Sequence, residues 1–245
     1  MRNIRLTLQY EGTRFQGWQR QESSENTIQG KLEKLLSIMC HEKIQLQGSG
    51  RTDAGVHAME QVANFHTNSI MTVEEMLEYM NAYLPQDIAV TEIMEVPERF
   101  HSRLNARGKC YRYQVINSRI PNVFLRRYAL EVPESLDVEA MRQAVPYLVG
   151  EHDFKAFTSA RKGKKSTVRR LDDIEIVQSG SLITFTFYGN GFLYHMVRIL
   201  MGTLLEVGQG LRTADSILEI FQTGVRENAG PLVPAKGLTL MKVYY

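Results

Sequence analysis

The spacing of apolar residues changes from alternation to helical periodicity within the first forty residues. Residues Ile4 to Tyr10 alternate between apolar and polar side chains, which predicts a half-buried β-strand. Apolar residues three or four positions apart follow from residue 28 to about residue 40. They predict a helix that Asn26 and Gln29 cap. A long polar segment, residues 11–26, separates the two elements.

The same two patterns continue to residue 96. Short strands are predicted at residues 44–46 and 62–66, and a helix that Thr72 and Glu75 cap and Pro85 ends comes next. A strand over residues 88–96 completes the order strand, helix, strand, strand, helix, strand. This is the order of the split βαβ, or ferredoxin-like, motif.

A second set of elements follows without repeating the sequence of the first. We expect strands around residues 111–115, 174–176, 182–188 and 238–243, and a short segment at residues 154–157. The predicted helices are residues 137–149 despite Pro146, the long apolar stretch Phe192–Val207, and a shorter helix that starts at Thr213.

Two such sets predict an α+β fold of two ferredoxin-like (split βαβ, RRM-like) halves. We expect the halves to share one broad antiparallel sheet with helices on one face, which leaves the opposite face for a long ligand. The predicted halves are residues 1–100 and residues 101–245. The break lies near residues 97–106 without a disordered linker, and we expect an active-site cleft between the halves.

Composition narrows the class of protein. The 245 residues are 43% hydrophobic and 23% charged, as in soluble globular proteins, and no apolar run approaches the roughly 18 residues of a membrane span. The two cysteines make neither a disulfide framework nor a metal site, and the histidines lack zinc-type spacing. We therefore expect a cytoplasmic protein without a membrane anchor or a metal.

Basic residues are clustered although the formal net charge is only +2. Six of them, including Lys164 and Lys165, lie between residues 161 and 170 with no acidic residue among them, and a second group lies within residues 103–112. Each group alone is typical of a solvated surface. Two groups in a nearly neutral chain indicate a surface for a polyanion such as RNA.

Aromatic residues beside basic ones are candidates for stacking on RNA bases. Arg14 and Trp18 lie in the polar segment 11–26, although a Trp18 that packs on its own domain is an equal alternative. Tyr111 and Tyr113 share one face of a predicted strand and are by default core tyrosines. The alternative sets one ring against a base, with two basic neighbours near phosphates, Lys109 and Arg112.

The decapeptide GSGRTDAGVH, residues 48–57, contains a carboxylate that packing does not need. Its three glycines allow positive φ and close approach of a ligand, but it lacks the lysine of a phosphate loop. A lone aspartate such as Asp53 is usually a turn former. Nearby Arg51, and Arg198 in the long apolar helix where a guanidinium needs a partner, favour a charged, catalytic aspartate instead. Contact between Asp53 and Arg198 is a hypothesis.

Six segments, in the right order, resemble the bacterial tRNA pseudouridine synthase A family over nearly the whole chain. They are YEGTRFQGWQRQ from residue 10, GRTDAGVH from 50, FHSR from 100, KCYRY from 109, HMVRILMGTLLEVGQG from 195 and PLVPAKGLTLMKVYY from 231. Two positions look atypical of that family, which often has glycine where this chain has Glu60 and histidine where it has Asn64. They put in doubt which uridines are served.

The resemblance implies an isomerase that converts uridine to pseudouridine in the anticodon stem-loop of tRNA, at positions 38, 39 and 40. It implies that Asp53 is the essential, nucleophilic aspartate, that Arg198 is its ion-pair partner with Arg51 helping to hold the site or the RNA, and that Tyr111 packs against the target uracil. Whether the aspartate attacks C1′ or C6, or abstracts a sugar proton, stays open. The expected partners are tRNA and a second copy in a homodimer, with no cofactor and no metal.

Two other functions are compatible with the same surface. One is a catalytically silent RRM-like RNA-binding protein, and the other is a helper of tRNA folding in which binding matters more than modification. Asp53 argues against silence, because phosphate binding alone needs no carboxylate.

Overall fold

The computed structural model describes residues 1–160 and 166–245, and the chain divides into two compact units. The first unit contains Met1–Arg107 together with Thr239–Tyr245, and the second contains Gly108–Leu238. The sequence had placed the break near residues 97–106 and all of residues 101–245 in the second half. The observed division lies just after that range, and the end of the chain belongs to the first unit because its last strand pairs there.

The first unit contains two helices and a sheet. Its elements are β1 (Arg2–Tyr10), α1 (Ile28–Met39), β2 (Gln47–Gly48), β3 (His57–Thr67), α2 (Val73–Tyr83), β4 (Ile88–Val96) and most of β10 (Leu238–Tyr244). β1 lies between β4 and β3, and β2 also pairs with β3, all antiparallel. β10 pairs with β3 in parallel, with Thr239 opposite His57. The predicted order of the first six elements is confirmed.

The second unit repeats a sheet with helices. Its elements are β5 (Gly108–Asn117), β6 (Leu130–Val132), α3 (Val138–Leu148), β7 (Gly150–Asp153), β8 (Val168–Ser179), β9 (Leu182–Gly189), α4 (Met196–Gly208) and α5 (Ser216–Thr223). The strands β5, β9, β8 and β7 are neighbours in that order and antiparallel, and β6 adds to β5 in parallel.

Across residues 1–160 and 166–245, the secondary structure is five α-helices and a mostly antiparallel sheet, which confirms the predicted α+β class. None of these helices has the length and apolar character that crossing a membrane requires.

One predicted cap and two predicted helix starts are wrong: the cap of α1, the start of α4, and the start of α5, which begins at Ser216 and not at Thr213. α1 is capped by Thr27, whose Oγ1 accepts a hydrogen bond from Gly30 N at 3.2 Å, while the Asn26 side chain donates to the backbone oxygen of Arg14 instead. α4 begins at Met196 and not at Phe192, since His195 has a φ of 65°, a left-handed conformation that a helix cannot contain. The capping box of Thr72 and Glu75 at α2 is confirmed.

Asn64, one of the two atypical positions, is fully buried in a polar network of the first unit. Its Nδ2 donates to Asn3 Oδ1 at 3.0 Å, and its Oδ1 accepts from Ser102 N at 2.9 Å. Asn3 in turn donates to the backbone oxygen of Phe100 at 2.8 Å. Asn64 therefore fastens the segment after β4 to the sheet, which is a structural role.

We predict that Asn64→Leu lowers the free energy of unfolding by about 2–4 kcal/mol, because it leaves Asn3 and the Ser102 amide without their buried partner. Denaturant unfolding measures this change. Glu60→Gln, at the other atypical and half-buried position, is the control and should stay within about 0.5 kcal/mol of the original. An unchanged stability of the Asn64 variant would contradict the structural role.

Candidate active site

Asp53 lies in the loop between β2 and β3, residues 49–56, which we call the aspartate loop. Its side chain is half-exposed, with the exposed Arg51 and the buried Thr52 before it. The residue is thus not sealed in the core of its own unit. Such a position suits an anion that meets a substrate, whereas a sealed aspartate would not.

Backbone hydrogen bonds fasten the aspartate loop on both sides of Asp53. The oxygen of Thr52 accepts from Trp18 N at 3.0 Å, and the amide of Gly55 donates to the oxygen of Phe15 at 3.3 Å. Within the loop, Val56 N donates to the oxygen of Asp53 at 3.2 Å. The segment that follows β1, residues 11–18, therefore holds the loop in place, and we call this segment the wall.

Glycines allow this wall and the loop to touch. A Cβ on Gly12 would lie 2.0 Å from the oxygen of Val56, and Gly12 N donates to His57 Nδ1 at 3.0 Å. Gly17 has a φ of +86°, and its Cβ would lie 2.8 Å from the oxygen of Thr52. Any other residue at either position would push the loop away.

Trp18 is part of the same wall, and this corrects its assignment as an RNA-stacking residue. Its ring is 1% exposed, 6.3 Å from the ring of Tyr10, and so close to Gly48 that a Cβ there would meet the indole at 2.6 Å. The ring therefore packs within its own unit, the alternative that the sequence left open. It has no face available for a base.

Arg198 lies in the first turn of α4, half-buried between the buried Val197 and Ile199. Its Nε donates to the backbone oxygen of Val233 at 2.8 Å. The PLVPAKG segment therefore supplies one of the hydrogen-bond acceptors that a guanidinium in an apolar helix needs. The next residue of that segment, Pro234, accepts a hydrogen bond from Tyr113 Oη at 2.7 Å. Burial raises the pKa of Tyr113, and the positive charge of Arg198 partly opposes that rise.

Tyr111 and Tyr113 lie on the same face of β5, as expected, but differ in exposure. Tyr113 is fully buried, whereas Tyr111 is 8% exposed. The ring of Tyr111 meets the ring of Phe192 edge-on, with centroids 5.0 Å apart. Tyr111 thus lies at the margin of the core of the second unit.

The basic candidates for RNA contact differ in their surroundings. Arg14 is exposed and forms an ion pair with Asp87, which raises the pKa of its guanidinium. Lys109 is half-buried and, by strand alternation, on the face of Tyr111. Arg112 is on the opposite face, where it influences Cys110, so it is not beside Tyr111. Lys164 and Lys165 lie outside the described residues.

Sequence reasoning missed four buried polar side chains that connect the aspartate loop to the neighbouring strands: Tyr10, Ser49, Thr52 and Gln61. All four are buried. The only signal in the sequence was Gln61, directly before the apolar strand predicted at residues 62–66, because glutamine is unusual in a core. Among residues 1–160 and 166–245, no three His, Cys, Asp or Glu side chains gather where they could hold a metal ion.

A sequence model described as tRNA pseudouridine synthase matches residues 7–105 and 144–245. The chain belongs to this family. It is 42% identical over its whole length to a Bacillus cereus protein named tRNA pseudouridine synthase A 2, whose whole length is also covered. It is 47% identical to tRNA pseudouridine synthase A of Bacillus sp. (strain KSM-64), covering 98% of both chains, and 43% identical to that of Acetivibrio thermocellus, covering 100% of both.

A solved structure titled "Crystal Structure of a Cbf5-Nop10-Gar1 Complex" is a remote neighbour. It is 12% identical with a TM-score of 0.35, covering 82% of this chain and 45% of that one, which is too distant to bear on function.

We predict that Gly12→Ala lowers both the stability of the protein and its activity, because a methyl group would overlap the Val56 oxygen and displace the aspartate loop. A loss of about 1–3 kcal/mol in the free energy of unfolding is expected for such overpacking. Gly191→Ala is the matched control, since its Cβ would meet only Arg169 side-chain atoms at 3.7 Å or more. Equal stability of the two variants would contradict the close approach.

Proposed function

We propose that this protein isomerises uridine to pseudouridine in the anticodon stem-loop of tRNA, at positions 38, 39 and 40. Membership of the tRNA pseudouridine synthase family supports the reaction class and the RNA. The observation that carries the proposal at the level of residues is the half-exposed Asp53 on a loop whose backbone is bonded to a rigid wall. The choice of positions follows the resemblance to the tRNA pseudouridine synthase A family.

The reaction needs a reachable anion more than any other group. The bond between C1′ of the ribose and N1 of uracil breaks, the base turns, and a bond from C1′ to C5 forms while the C5 proton is lost. The target base must first leave its stack, at a cost of a few kcal/mol. Asp53 then acts as a nucleophile at C1′ or C6, or as a base towards the sugar. The heavy atoms of the base are all retained, and N1 gains a proton in place of the one that C5 loses, so the product is an isomer of uridine.

The proposed supporting roles fall to residues of both units. Arg198 is the proposed ion-pair partner of Asp53; its bond to Val233 fixes the guanidinium plane, which suits a partner that must not move. Arg51 is proposed to help hold the site or the RNA. Tyr111 is proposed to pack against the target uracil, and its place at the margin of the core lets only part of the ring do so.

Contact with the rest of the tRNA is proposed for the exposed or half-exposed basic residues Arg14 and Lys109, together with Lys164 and Lys165. Arg112 contributes only where RNA covers the other face of β5. We also propose that the protein acts as a homodimer in the cytoplasm. The RNA-binding and tRNA-folding alternatives receive no support from the relatives, whose names all describe a synthase.

We predict that Asp53→Asn abolishes pseudouridine formation and retains tRNA binding, because the amide keeps the shape of the side chain and loses its charge. Tritium release from tRNA that carries [5-³H]uridine measures the reaction. Asp215→Asn is the control, since this exposed residue makes no capping hydrogen bond through its side chain. Equal release by the Asp53 variant would remove this residue from the mechanism, and no release by the unaltered protein would refute the proposed function.

We predict that Tyr111→Phe keeps tRNA affinity largely unchanged, because the ring and not the hydroxyl supplies the packing surface. Tyr111→Ala should weaken binding by about 1–3 kcal/mol, the usual contribution of one aromatic stacking contact. Filter-binding titration at fixed salt measures both. A loss for the phenylalanine variant as large as that for alanine would show that the hydroxyl dominates.

A further inference from the structure

A group of four buried polar side chains connects the aspartate loop to the adjacent strands: Tyr10, Ser49, Thr52 and Gln61. Tyr10 is the last residue of β1, Gln61 belongs to β3, and the other two belong to the loop itself. Their exposed fractions are 4%, 0%, 6% and 0%. Buried polar groups cost free energy unless every hydrogen bond is made, so their arrangement requires an explanation.

Gln61 uses all four bonding positions of its amide. Its Oε1 accepts from Ser49 Oγ at 2.6 Å and from Val62 N at 3.2 Å. Its Nε2 donates to the oxygen of Gly50 at 3.2 Å and to Tyr10 Oη at 3.4 Å, which is a long bond. The amide therefore cannot turn over without breaking these bonds.

The same Tyr10 oxygen makes the next hydrogen bond of the network. Tyr10 Oη and Thr52 Oγ1 lie 2.8 Å apart and share a hydrogen bond, while Gln61 Nε2 holds the Tyr10 oxygen from another side. Burial raises the pKa of the Tyr10 hydroxyl well above its ordinary value, so the hydroxyl stays protonated. Thr52 is covalently linked to Asp53, and its backbone oxygen is held by Trp18.

We propose that Tyr10 and Gln61 are positioning residues for the reaction: the hydrogen bond between Tyr10 and Thr52, supported by Gln61, sets the direction in which Asp53 presents its carboxylate. The inference rests on the proposed function and extends it to residues that do not touch the substrate. Gln61 and Tyr10 contact the aspartate loop at residues 49, 50 and 52, and Ser49 also interacts with Tyr245. The network therefore joins β1 and β3 to the residues that directly precede Asp53.

The test is a double-mutant cycle on the full-length protein. Tyr10→Phe and Thr52→Val each remove one hydroxyl of the shared bond with little change of shape, and Thr52→Ser keeps the hydroxyl. Single-turnover rates of pseudouridine formation, tRNA affinity and melting temperature are measured for each variant. Thr67→Val is the matched control: it removes a fully buried hydroxyl that bonds Glu42 at the other end of β3. Thr67 lies five residues beyond Val62, the β3 residue that bonds the near end of the loop, which is about 17 Å along the strand.

We expect Tyr10→Phe and Thr52→Val each to lower the single-turnover rate about 10- to 100-fold, the effect of a misplacement of about 1 Å, with tRNA affinity unchanged. The double variant should be no slower than the slower single variant, because both lose the same bond. Thr52→Ser should keep most of the rate. Thr67→Val should lower the melting temperature without lowering the rate at a temperature where all variants are folded.

Three results would overturn the inference. These are unchanged rates in Tyr10→Phe and Thr52→Val, rate losses that multiply in the double variant, or a loss in Thr67→Val as large as theirs. The proposed function is tested separately in the same experiment, because the unaltered protein must form pseudouridine. Turnover by the unaltered protein with any of these three results refutes the positioning role alone. No turnover by the unaltered protein refutes the positioning role together with the function on which it rests.

Discussion

The close approach of the segment after β1 to the aspartate loop is the constraint on which the candidate site depends. At Gly12 a single added carbon would overlap the Val56 oxygen, and at Gly17 it would press on the Thr52 oxygen. Three backbone hydrogen bonds join or brace the same region around Asp53. The loop backbone is therefore held in place by its own unit, while Asp53 remains half-exposed. A catalytic carboxylate profits from such an arrangement, since its geometry is set before the substrate arrives.

Buried polar groups on β1 and β3 support that arrangement. Gln61 and Tyr10 form a hydrogen-bonded network with Thr52, while Asn64, a few residues further along β3, holds the segment that carries Ser102. β3 thus connects the loop that carries the candidate catalytic residue Asp53 to Asn64, whose role is structural. In the second unit, Arg198 donates a hydrogen bond to the backbone oxygen of Val233. This bond offsets part of the free-energy cost of placing a charge among the apolar residues of α4.

The sequence predicted the order of the helices and strands better than their first and last residues or the roles of individual side chains. The order of strands and helices in the first unit follows from periodicity, and Thr72 with Glu75 caps α2 as local chemistry requires. His195 shows why α4 started later than expected, because a left-handed residue leaves no mark in the apolar pattern. Trp18 is an RNA-stacking candidate in the sequence because arginines flank it, yet Gly48 provides a space for its ring that only tertiary structure reveals. Gln61 was missed for the same reason, since its four partners are distant in sequence or on the backbone.

Hydrogen–deuterium exchange of the protein without RNA tests the central claim most directly, that the aspartate loop is formed before tRNA binds. The amides of Ser49, Gly55 and Val56 donate to Val62, Phe15 and Asp53. The account predicts that these amides exchange slowly in the free protein and that tRNA changes them little. Fast exchange of all three in the free protein, with protection only after tRNA is added, would contradict it.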